Sequence, residues 1–192
     1  MSTYPVRSDH RQMRGSLGGR CRLGQIAWYE EAPALAGVAA VLAATTLDPA
    51  TDLIVTTGIT QPDVPRTISV KGNAASCAGD VVIVGADANN RTLTATLALA
   101  GTAVVTSLVA FSRISRVELP PRAASGNTVS VGTGAGLGLV HALGADVRLQ
   151  TIFDGAADLG TLAVDAGDVG KNLFTPAGTL DGTKVLRILY VV

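Results

Sequence analysis

Apolar runs alternate with turn residues along most of this chain, at intervals of roughly ten residues, as in β-sandwiches and barrels. Within 91–99, threonines at positions 92, 94 and 96 alternate with apolar residues, which gives a strand one polar and one apolar face. The connections are too short for crossover helices, so antiparallel pairing is favoured. The predicted strands lie within residues 53–56, 67–71, 80–85, 91–99, 102–109, 114–119, 128–131, 146–154 and 184–192. We therefore predict a mainly β protein, either an antiparallel immunoglobulin-like β-sandwich or a small barrel, with an extended N-terminal arm.

The sequence ends in an apolar run, "VLRILYVV". An apolar strand at this position has to be paired on both sides, because otherwise it leaves an adhesive edge. We therefore expect residues 184–192 to lie inside a sheet.

The segment "GITQPDVPRTISV", residues 58–70, places two prolines directly before a β-branched run. Proline cannot donate a ladder hydrogen bond, and it biases the preceding residue toward extended geometry. The segment is therefore predicted to be a rigid extended lead-in, or an edge strand, that feeds residues 67–70 into a sheet.

The region before these prolines matches no single element. Residues 26–44 are alanine-rich, but Pro33 and Gly37 argue against one continuous helix, so a short helix and an extended strand both remain open. The run 32–44 is too short to span a bilayer, and we expect it to be buried or partly helical. The predicted organisation is a basic, extended arm and junction over residues 1–50, a β-sandwich core over 51–139, and a C-terminal β segment over 140–192 packed on the same domain.

Charge is balanced over the whole chain but not along it. Charged residues make up 16% of the sequence and the formal net charge is zero, which disfavours general attraction to nucleic acid or to a membrane. This balance hides a cationic arm, which is either a solvated tail or a segment that orders on the acidic surface of a partner. Its basic residues, with only Asp9 against them, are Arg7, Arg11, Arg14, Arg20 and Arg22.

Motifs that could carry chemistry are weak. The glycines of "SVGTGAGLGL", residues 130–139, recur every second residue, which matches neither a dinucleotide-binding motif nor a phosphate loop. A tight, closely packed turn between strands is the expected structure there. Cys21 and Cys77 are expected to be free thiols, because the sequence has no secretory features.

Metal binding is also disfavoured by residue spacing. His10 and His141 have no cysteine, histidine or carboxylate at the spacing of a metal site. Aspartates at positions 154, 158, 165, 168 and 181 lie in glycine-rich loops, and turn aspartates that bond their own backbone explain them more simply than calcium loops do. The sequence thus predicts no catalytic residue, no cofactor and no metal.

Three segments share a joint order of proline, glycine and aromatic positions. They read "ITQPDVPRTISV", "GDVVIVGADANNRTLTATLAL" and "AFSRISRVELPPRAASGNTVSVGTGAGLGL". In these segments the chain resembles a family of tailed-bacteriophage virion structural proteins. The matching positions are 59–60, 62–66, 85, 87, 110–111, 114, 119–120 and 129–139. The early "RSDHRQMRGSL" and the final "DGTKVLRILYVV" are also similar to members of this family.

This resemblance implies a capsid decoration or cement protein that binds and stabilises the coat shell and has no enzymatic activity. Its partner would be the major capsid protein, whose acidic surface would meet Arg7, Arg11, Arg14, Arg20 and Arg22. Trp28 and Tyr29 would anchor the junction, and Pro62, Pro65 and Arg66 would fix the direction in which the arm leaves. These five residues would also belong to the surface that contacts the coat shell. The protein would be made in the bacterial host cytoplasm, would lie on the capsid surface of the virion, and would form a homo-oligomer, for instance a trimer.

Other functions remain open. A tail, neck or head-fibre protein would share the β fold and the lack of catalytic groups. A carbohydrate- or host-surface-binding module is less favoured, because one tryptophan and three tyrosines leave few rings to stack on sugars. An enzyme is the least favoured class, because the sequence has no evident combination of nucleophile, base and metal.

Overall fold

The computed structural model describes residues 24–192 and two short backbone segments, Met13–Arg14 and Arg20–Cys21. Regular structure in these residues consists of sixteen strands and one 3₁₀ helix, Val169–Lys171, with no α-helix among them. The strands are β1 (Met13–Arg14), β2 (Arg20–Cys21), β3 (Ile26–Glu31), β4 (Leu42–Thr46), β5 (Leu53–Val55), β6 (Arg66–Gly72), β7 (Asp80–Ala86), β8 (Thr92–Ala98), β9 (Val105–Phe111), β10 (Arg113–Leu119), β11 (Thr128–Gly138), β12 (Arg148–Phe153), β13 (Ala156–Ala157), β14 (Thr161–Ala163), β15 (Leu173–Thr175) and β16 (Leu186–Val191).

The strands form three larger sheets and the small pair β1–β2. The first sheet has the order β5-β10-β7-β8, and the third has the order β13-β12-β16-β3. The second sheet has the order β14-β15-β11-β6-β9, and β4 also pairs with β11. The strands pair antiparallel, and one sheet is curled into a half-barrel, which confirms the predicted mainly β, antiparallel fold class.

Two hydrophobic cores lie between these sheets. The first core joins the first sheet to the β6, β9 and β11 part of the second sheet, through side chains such as Ile68, Ile83, Phe111, Leu119 and Val131. The second core joins the third sheet to β15 and the end of β11, through side chains such as Leu137, Phe153, Phe174, Leu186 and Ile188. Burial of large aliphatic and aromatic side chains of this kind stabilises by about 1.5–3 kcal/mol each before chain entropy is counted.

The long strand β11 contributes to both cores. Val129 and Val131 near its start lie in the first core, and Leu137 near its end lies in the second. Residues from all three predicted ranges meet in the second core, since it also contains Tyr29 of β3 and Ile188 of β16. Hydrophobic contacts therefore cross both predicted boundaries, at residues 50 and 139. The division of the chain into three ranges stays a prediction.

The glycine-rich segment is strand rather than turn, so the prediction of a tight turn over residues 130–139 is wrong. Its alternate glycines lie within β11 and let other segments approach the backbone closely. A Cβ atom on Gly134 would lie 2.8 Å from Thr106 Cγ2, and one on Gly132 would lie 2.6 Å from Val38 Cα. Period-two glycines here mark close packing against one side of a strand.

Two alternatives that the sequence left open are decided upstream of β6: residues 26–44 take the extended alternative at Ile26–Glu31 and Leu42–Thr46, and residues 58–65 take the lead-in alternative. Residues 26–44 contain strands and loop but no helix, and the loop between β3 and β4 is largely exposed rather than buried, with Leu35 61% exposed. Residues 58–65 form no edge strand. Instead they precede β6, which is paired on one side with β11 and on the other with β9.

Other expectations are confirmed. The strand predicted over residues 91–99 is β8, and its threonines are exposed while Leu97 is buried. β16 is paired on both sides, with β12 and β3, as expected of the apolar terminal run. Asp165 and Asp181 accept hydrogen bonds from backbone N–H groups two and three residues later, as turn aspartates do. Cys77 is a free, buried thiol, and the side chain of Cys21 lies outside the described residues.

Candidate protein-interaction surface

The hydrogen-bond pattern of β3 fixes which of its backbone groups point out of the sheet. Gln25 N–H donates to Val192 O at 3.0 Å, and Val192 N–H donates to Gln25 O at 2.8 Å. Paired groups alternate along an antiparallel ladder, and the register from Ile26↔Val191 to Glu31↔Leu186 is unbroken. The odd-numbered residues of β3 therefore bond to β16, and the even-numbered residues direct N–H and C=O away from it.

β3 is the last strand of the third sheet, and no other strand of the described chain pairs with its far side. We call the outward N–H and C=O groups of Ile26, Trp28 and Glu30 the β3 edge. Unpaired edges of this kind accept an added strand from another chain, unless prolines, lysines or bulges block them. β3 contains no proline, lysine or bulge, and its two charged residues, Glu30 and Glu31, lie together at its end.

The same three residues also direct their side chains onto the solvent-facing side of the third sheet. Successive side chains of a strand alternate between faces, and Tyr29 lies on the buried side. Each of the three is paired across the ladder with a residue of β16: Ile26 with Val191, Trp28 with Leu189, and Glu30 with Arg187. We call these six residues, together with Gln150 and Ile152 of β12, the outer face.

Trp28 is the largest exposed side chain of the outer face. It is 59% exposed and Ile26 is 65% exposed, so two bulky apolar groups lie side by side in solvent. The Trp28 indole Nε1 donates to Glu30 Oε2 at 2.8 Å, and Arg187 Nη2 donates to Glu30 Oε1 at 2.9 Å. The hydrogen bonds from Arg187 and then Trp28 lower the pKa of the Glu30 carboxyl. The Glu30–Arg187 ion pair therefore orients the Trp28 indole through its hydrogen bond to Glu30.

The shape of the outer face suits a protein partner better than a small molecule. The hollow between Trp28, Gln150, Ile152, Arg187 and Leu189 has a volume of about 10 Å³. Small-molecule pockets measure roughly 300–1,000 Å³. Rigid, half-exposed aromatic groups on a flat surface are instead typical of protein interfaces.

Tyr29 lies on the buried side of the third sheet, opposite the outer face. Its ring is 9% exposed and belongs to the second core, so it offers almost no surface to a partner. Its role in anchoring the junction with the arm stays a prediction. Its hydroxyl oxygen is buried and has no hydrogen-bond partner among the described residues. Burial raises the pKa of the Tyr29 hydroxyl, and the nearby charges of Glu31 and Asp63 raise it further.

The proline segment forms a latch between the loop after β3 and the second sheet. Asp63 Oδ2 accepts from Ala34 N–H at 2.6 Å, and Arg66 Nη1 donates to Ala34 O at 3.0 Å. Arg66 also donates to Asp63 Oδ1 at 2.9 Å. Pro62 directly precedes Asp63 and Pro65 directly precedes Arg66, so a proline restricts the backbone at each member of this pair. The rigid backbone predicted from the sequence therefore places the Asp63 carboxylate and the Arg66 guanidinium against the loop that follows β3.

Arg66 itself is unavailable to a partner. Its side chain is 0% exposed, and its Nε and Nη2 atoms both donate to Gly134 O. The prediction that Arg66 contacts the coat shell is therefore contradicted, because every part of its guanidinium lies inside the protein. Pro62 and Pro65 are half-buried, and their contact with a partner stays a prediction.

The arm lies mostly outside the described residues. This is the case for Arg7, Arg11 and Arg22. Arg14 and Arg20 face each other in the backbone register of β1 and β2, and their side chains are outside the described part of the structure. The role of the five arginines in binding an acidic surface stays a prediction.

Sequence reasoning missed most of the outer face. It singled out Trp28, but not Ile26, Glu30, Arg187 or Leu189. The alternation in residues 26–31 and 187–191 could have indicated two half-exposed strands. Nothing local in the sequence could have indicated that these two strands pair.

A polar cleft of about 440 Å³ lies beside β12, and its charged groups are engaged within the protein. Arg148 Nη2 pairs with Asp146 Oδ2 at 2.6 Å, and Arg148 Nη1 donates to Gly160 O at 2.6 Å. Asp158 accepts from the backbone N–H groups of Gly160 and Ala177. Residues 24–192 contain no cluster of ligands suited to a metal ion.

No helix in the described part of the chain has the length and apolar character needed to cross a membrane. Comparison of the chain with protein-family models, with curated proteins and with solved structures gave no match in any of the three searches.

Proposed function

We propose that this chain is a structural, non-catalytic virion protein of a tailed bacteriophage, which binds the coat shell as a decoration or cement protein. In this proposal its partner is the major capsid protein, and the contact is made through the outer face and the N-terminal arm. The observation that carries the proposal is the exposure of Trp28 and Ile26 on a sheet face that is anchored from behind by the second core.

The outer face has the physical properties that such a contact needs. Tryptophan is enriched among the residues that dominate binding energy at protein interfaces. A side chain held on a paired strand and bonded to Glu30 loses little conformational freedom on binding, so more of its buried area is available for affinity. The phage setting is supported by the resemblance of the segments 59–70, 79–99 and 110–139 to virion structural proteins.

The arm complements this face in the proposal. Its five arginines favour an acidic surface. Ordering an extended segment costs roughly 1–2 kcal/mol per residue of backbone entropy. A lattice of repeated neighbours offsets such a cost, because each additional contact is made at high effective concentration. A cement protein with a basic arm therefore gains affinity from binding several repeated coat subunits at once.

Binding to shells tests the proposal directly. Coat shells that lack this protein would be mixed with the wild type, with Trp28→Ala and with a chain beginning at Gly24, and the bound fraction measured by cosedimentation. The deletion ends at residue 23 because Gln25 is hydrogen-bonded to Val192. We expect at least about tenfold weaker binding for each variant, the loss expected when an interface anchor is truncated.

The matched control is Leu108→Ala, which removes an 82% exposed apolar side chain from β9, outside the outer face. We expect it to bind shells like the wild type. Full binding by Trp28→Ala would remove the outer face from the interface, and absence of wild-type binding would overturn the proposal.

Copy number then separates a shell protein from a tail, neck or head-fibre protein. Quantitative mass spectrometry of purified particles should give copies in proportion to the coat protein. A few copies per particle would favour the tail or neck, and binding to immobilised glycans that depended on Trp28 would favour a host-surface module.

A further inference from the structure

We propose that two copies of this chain pair through their β3 edges, antiparallel and about a two-fold axis at Trp28, so that their third sheets join into one continuous sheet. This inference concerns the free protein and does not depend on the proposed role in the virion. It is based on the direction of the backbone groups of β3 and on the order of side chains along it.

Backbone complementarity favours a register centred on Trp28. The outward groups belong to Ile26, Trp28 and Glu30, and antiparallel pairing about Trp28 places each of them opposite another outward group of the second copy. Ile26 then faces Glu30 of the second copy, and Trp28 faces its own counterpart. Every outward N–H and C=O group within β3 finds a partner in this register.

Registers with the axis closer to the end of β3 are poorer. Centring the axis on Tyr29 pairs Trp28 with Glu30 but leaves the outward groups of Ile26 opposite Ala32, where β3 has ended. Centring it on Glu30 places two carboxylates directly opposite each other, which is destabilising in a sheet. In the register about Trp28 the two Glu30 side chains lie at opposite ends of the paired strands.

The side chains also complement one another across the axis. Trp28 of each copy lies on the outer face, and cross-strand aromatic pairs stabilise antiparallel sheets. The strand is apolar at Ile26 and acidic at Glu30 and Glu31, so an antiparallel copy separates the like charges that a parallel copy would bring together. A second copy of the chain is therefore the partner that this edge fits.

Strands at the edges of the other sheets differ in character. β9 ends the second sheet, and the exposed residue at its centre is the aliphatic Leu108 rather than an aromatic residue. β8 ends the first sheet, and its exposed positions Thr92, Thr94 and Thr96 are polar. It has no bulky apolar residue at its centre to pair across a two-fold axis. Among β3, β8 and β9, only β3 combines a free edge with an exposed aromatic residue at its centre.

Sedimentation of the full chain without coat shells tests the pairing. We expect the wild type to reach twice the monomer mass as its concentration rises through the micromolar range. Because position 28 faces itself, Trp28→Lys alone and Trp28→Glu alone should stay monomeric through like-charge repulsion. An equimolar mixture of the two variants should recover the dimer, at least tenfold tighter than either variant alone.

A proline pair tests the assigned direction of the hydrogen bonds. Trp28 N–H points out of the sheet, so Trp28→Pro should abolish dimerisation and leave the thermal unfolding temperature close to that of the monomeric Trp28→Lys variant. Ala27 N–H points toward β16, so Ala27→Pro should lower that temperature clearly.

Several results would overturn the pairing. One is a wild type that stays monomeric up to about 0.5 mM, because an association weaker than this is too weak for a specific complex. The others are association of the wild type into a trimer and formation of a dimer by Trp28→Lys alone. Equal destabilisation by Trp28→Pro and Ala27→Pro would also overturn it. Since no shell is present, none of these results bears on whether the protein binds a capsid.

Discussion

Arg66 and Gly134 are joined by two hydrogen bonds, from Nε at 2.9 Å and from Nη2 at 2.7 Å to the same carbonyl oxygen. The register between β6 and β11 is interrupted between Thr133 and Leu137, so a ladder partner is missing at this point of the sheet. A side chain from β6 thus satisfies a carbonyl that the backbone of β6 does not reach. The same guanidinium holds Ala34 and Asp63, and so connects the sheet interior to the loop that follows β3.

Replacing this guanidinium should destabilise the fold strongly. Arg66→Ala would leave the carbonyl of Gly134 without its partner in the interior and would leave Asp63 without its cation. We expect a loss of roughly 3 kcal/mol in the free energy of unfolding, measured with urea. The control is Arg91→Ala, which removes an exposed arginine and should change stability by less than about 0.5 kcal/mol. Equal losses in the free energy of unfolding for Arg66→Ala and Arg91→Ala would show that the hydrogen bonds of Arg66 do not stabilise the fold.

Stability should depend on pH through Asp63. Burial raises the pKa of this carboxyl, but the hydrogen bonds from Arg66 and from Ala34 N–H lower it by more, so the net shift is downward. A lowered pKa in the folded state means that the ionised carboxylate stabilises the fold above the unfolded value of about 4. That contribution disappears as the pH falls through the lower, folded value.

The variant Asp63→Asn should therefore be less stable than the wild type at pH 7, and the difference should shrink as the pH falls below about 4. Urea unfolding at a series of pH values measures both curves. A difference between the two proteins that stayed constant down to pH 2 would contradict the assigned ionisation.

Two tyrosines of the second core should respond oppositely to loss of the hydroxyl. The Tyr29 hydroxyl is buried without a partner in the described chain, whereas the Tyr190 hydroxyl lies 2.9 Å from His141 Nδ1. Tyr29→Phe should leave the melting temperature unchanged or raise it, because it removes an unpaired buried polar atom. Tyr190→Phe should cost about 1 kcal/mol. Thermal unfolding monitored by circular dichroism compares them, and a larger loss for Tyr29→Phe would reverse the interpretation.

Alternate glycines of β11 should be intolerant of alanine where another backbone lies close. A Cβ atom on Gly132 would lie 2.6 Å from Val38 Cα and closer still to the carbonyl of Gly37. Gly132→Ala should therefore cost about 1–3 kcal/mol through overpacking. Gly144→Ala is the matched control, since its nearest neighbour would be Ala166 Cβ at 3.8 Å. Equal stability of the two variants by denaturant unfolding would contradict the close approach.

Removal of residues 188–192 should give insoluble protein. β16 lies between β12 and β3, so its loss would expose two strand edges and uncover the second core. Expression followed by separation of soluble and pelleted protein measures the outcome. A truncated chain that stayed soluble and kept a cooperative melting transition would show that the third sheet tolerates the loss of its inner strand.

The sequence by itself determined the features that depend on residues close together in the chain. Alternation over 91–99 predicted β8, the apolar terminal run predicted a paired β16, and turn aspartates such as Asp165 and Asp181 bond their own backbone as their spacing indicates. The rigid segment before β6 was also evident, because proline acts on its own and the preceding residue.

Only the tertiary structure decided what depends on distant neighbours. Gly132 and Gly134 gave the pattern of a turn, and they lie in a strand because Val38, Thr67 and Thr106 approach from elsewhere in the chain. Arg66 gave the pattern of a surface residue, and its burial follows from the missing ladder partner at Gly134. Burial and pairing are set by which segments meet in space, and a one-dimensional pattern fixes a strand and its two faces without fixing what covers them.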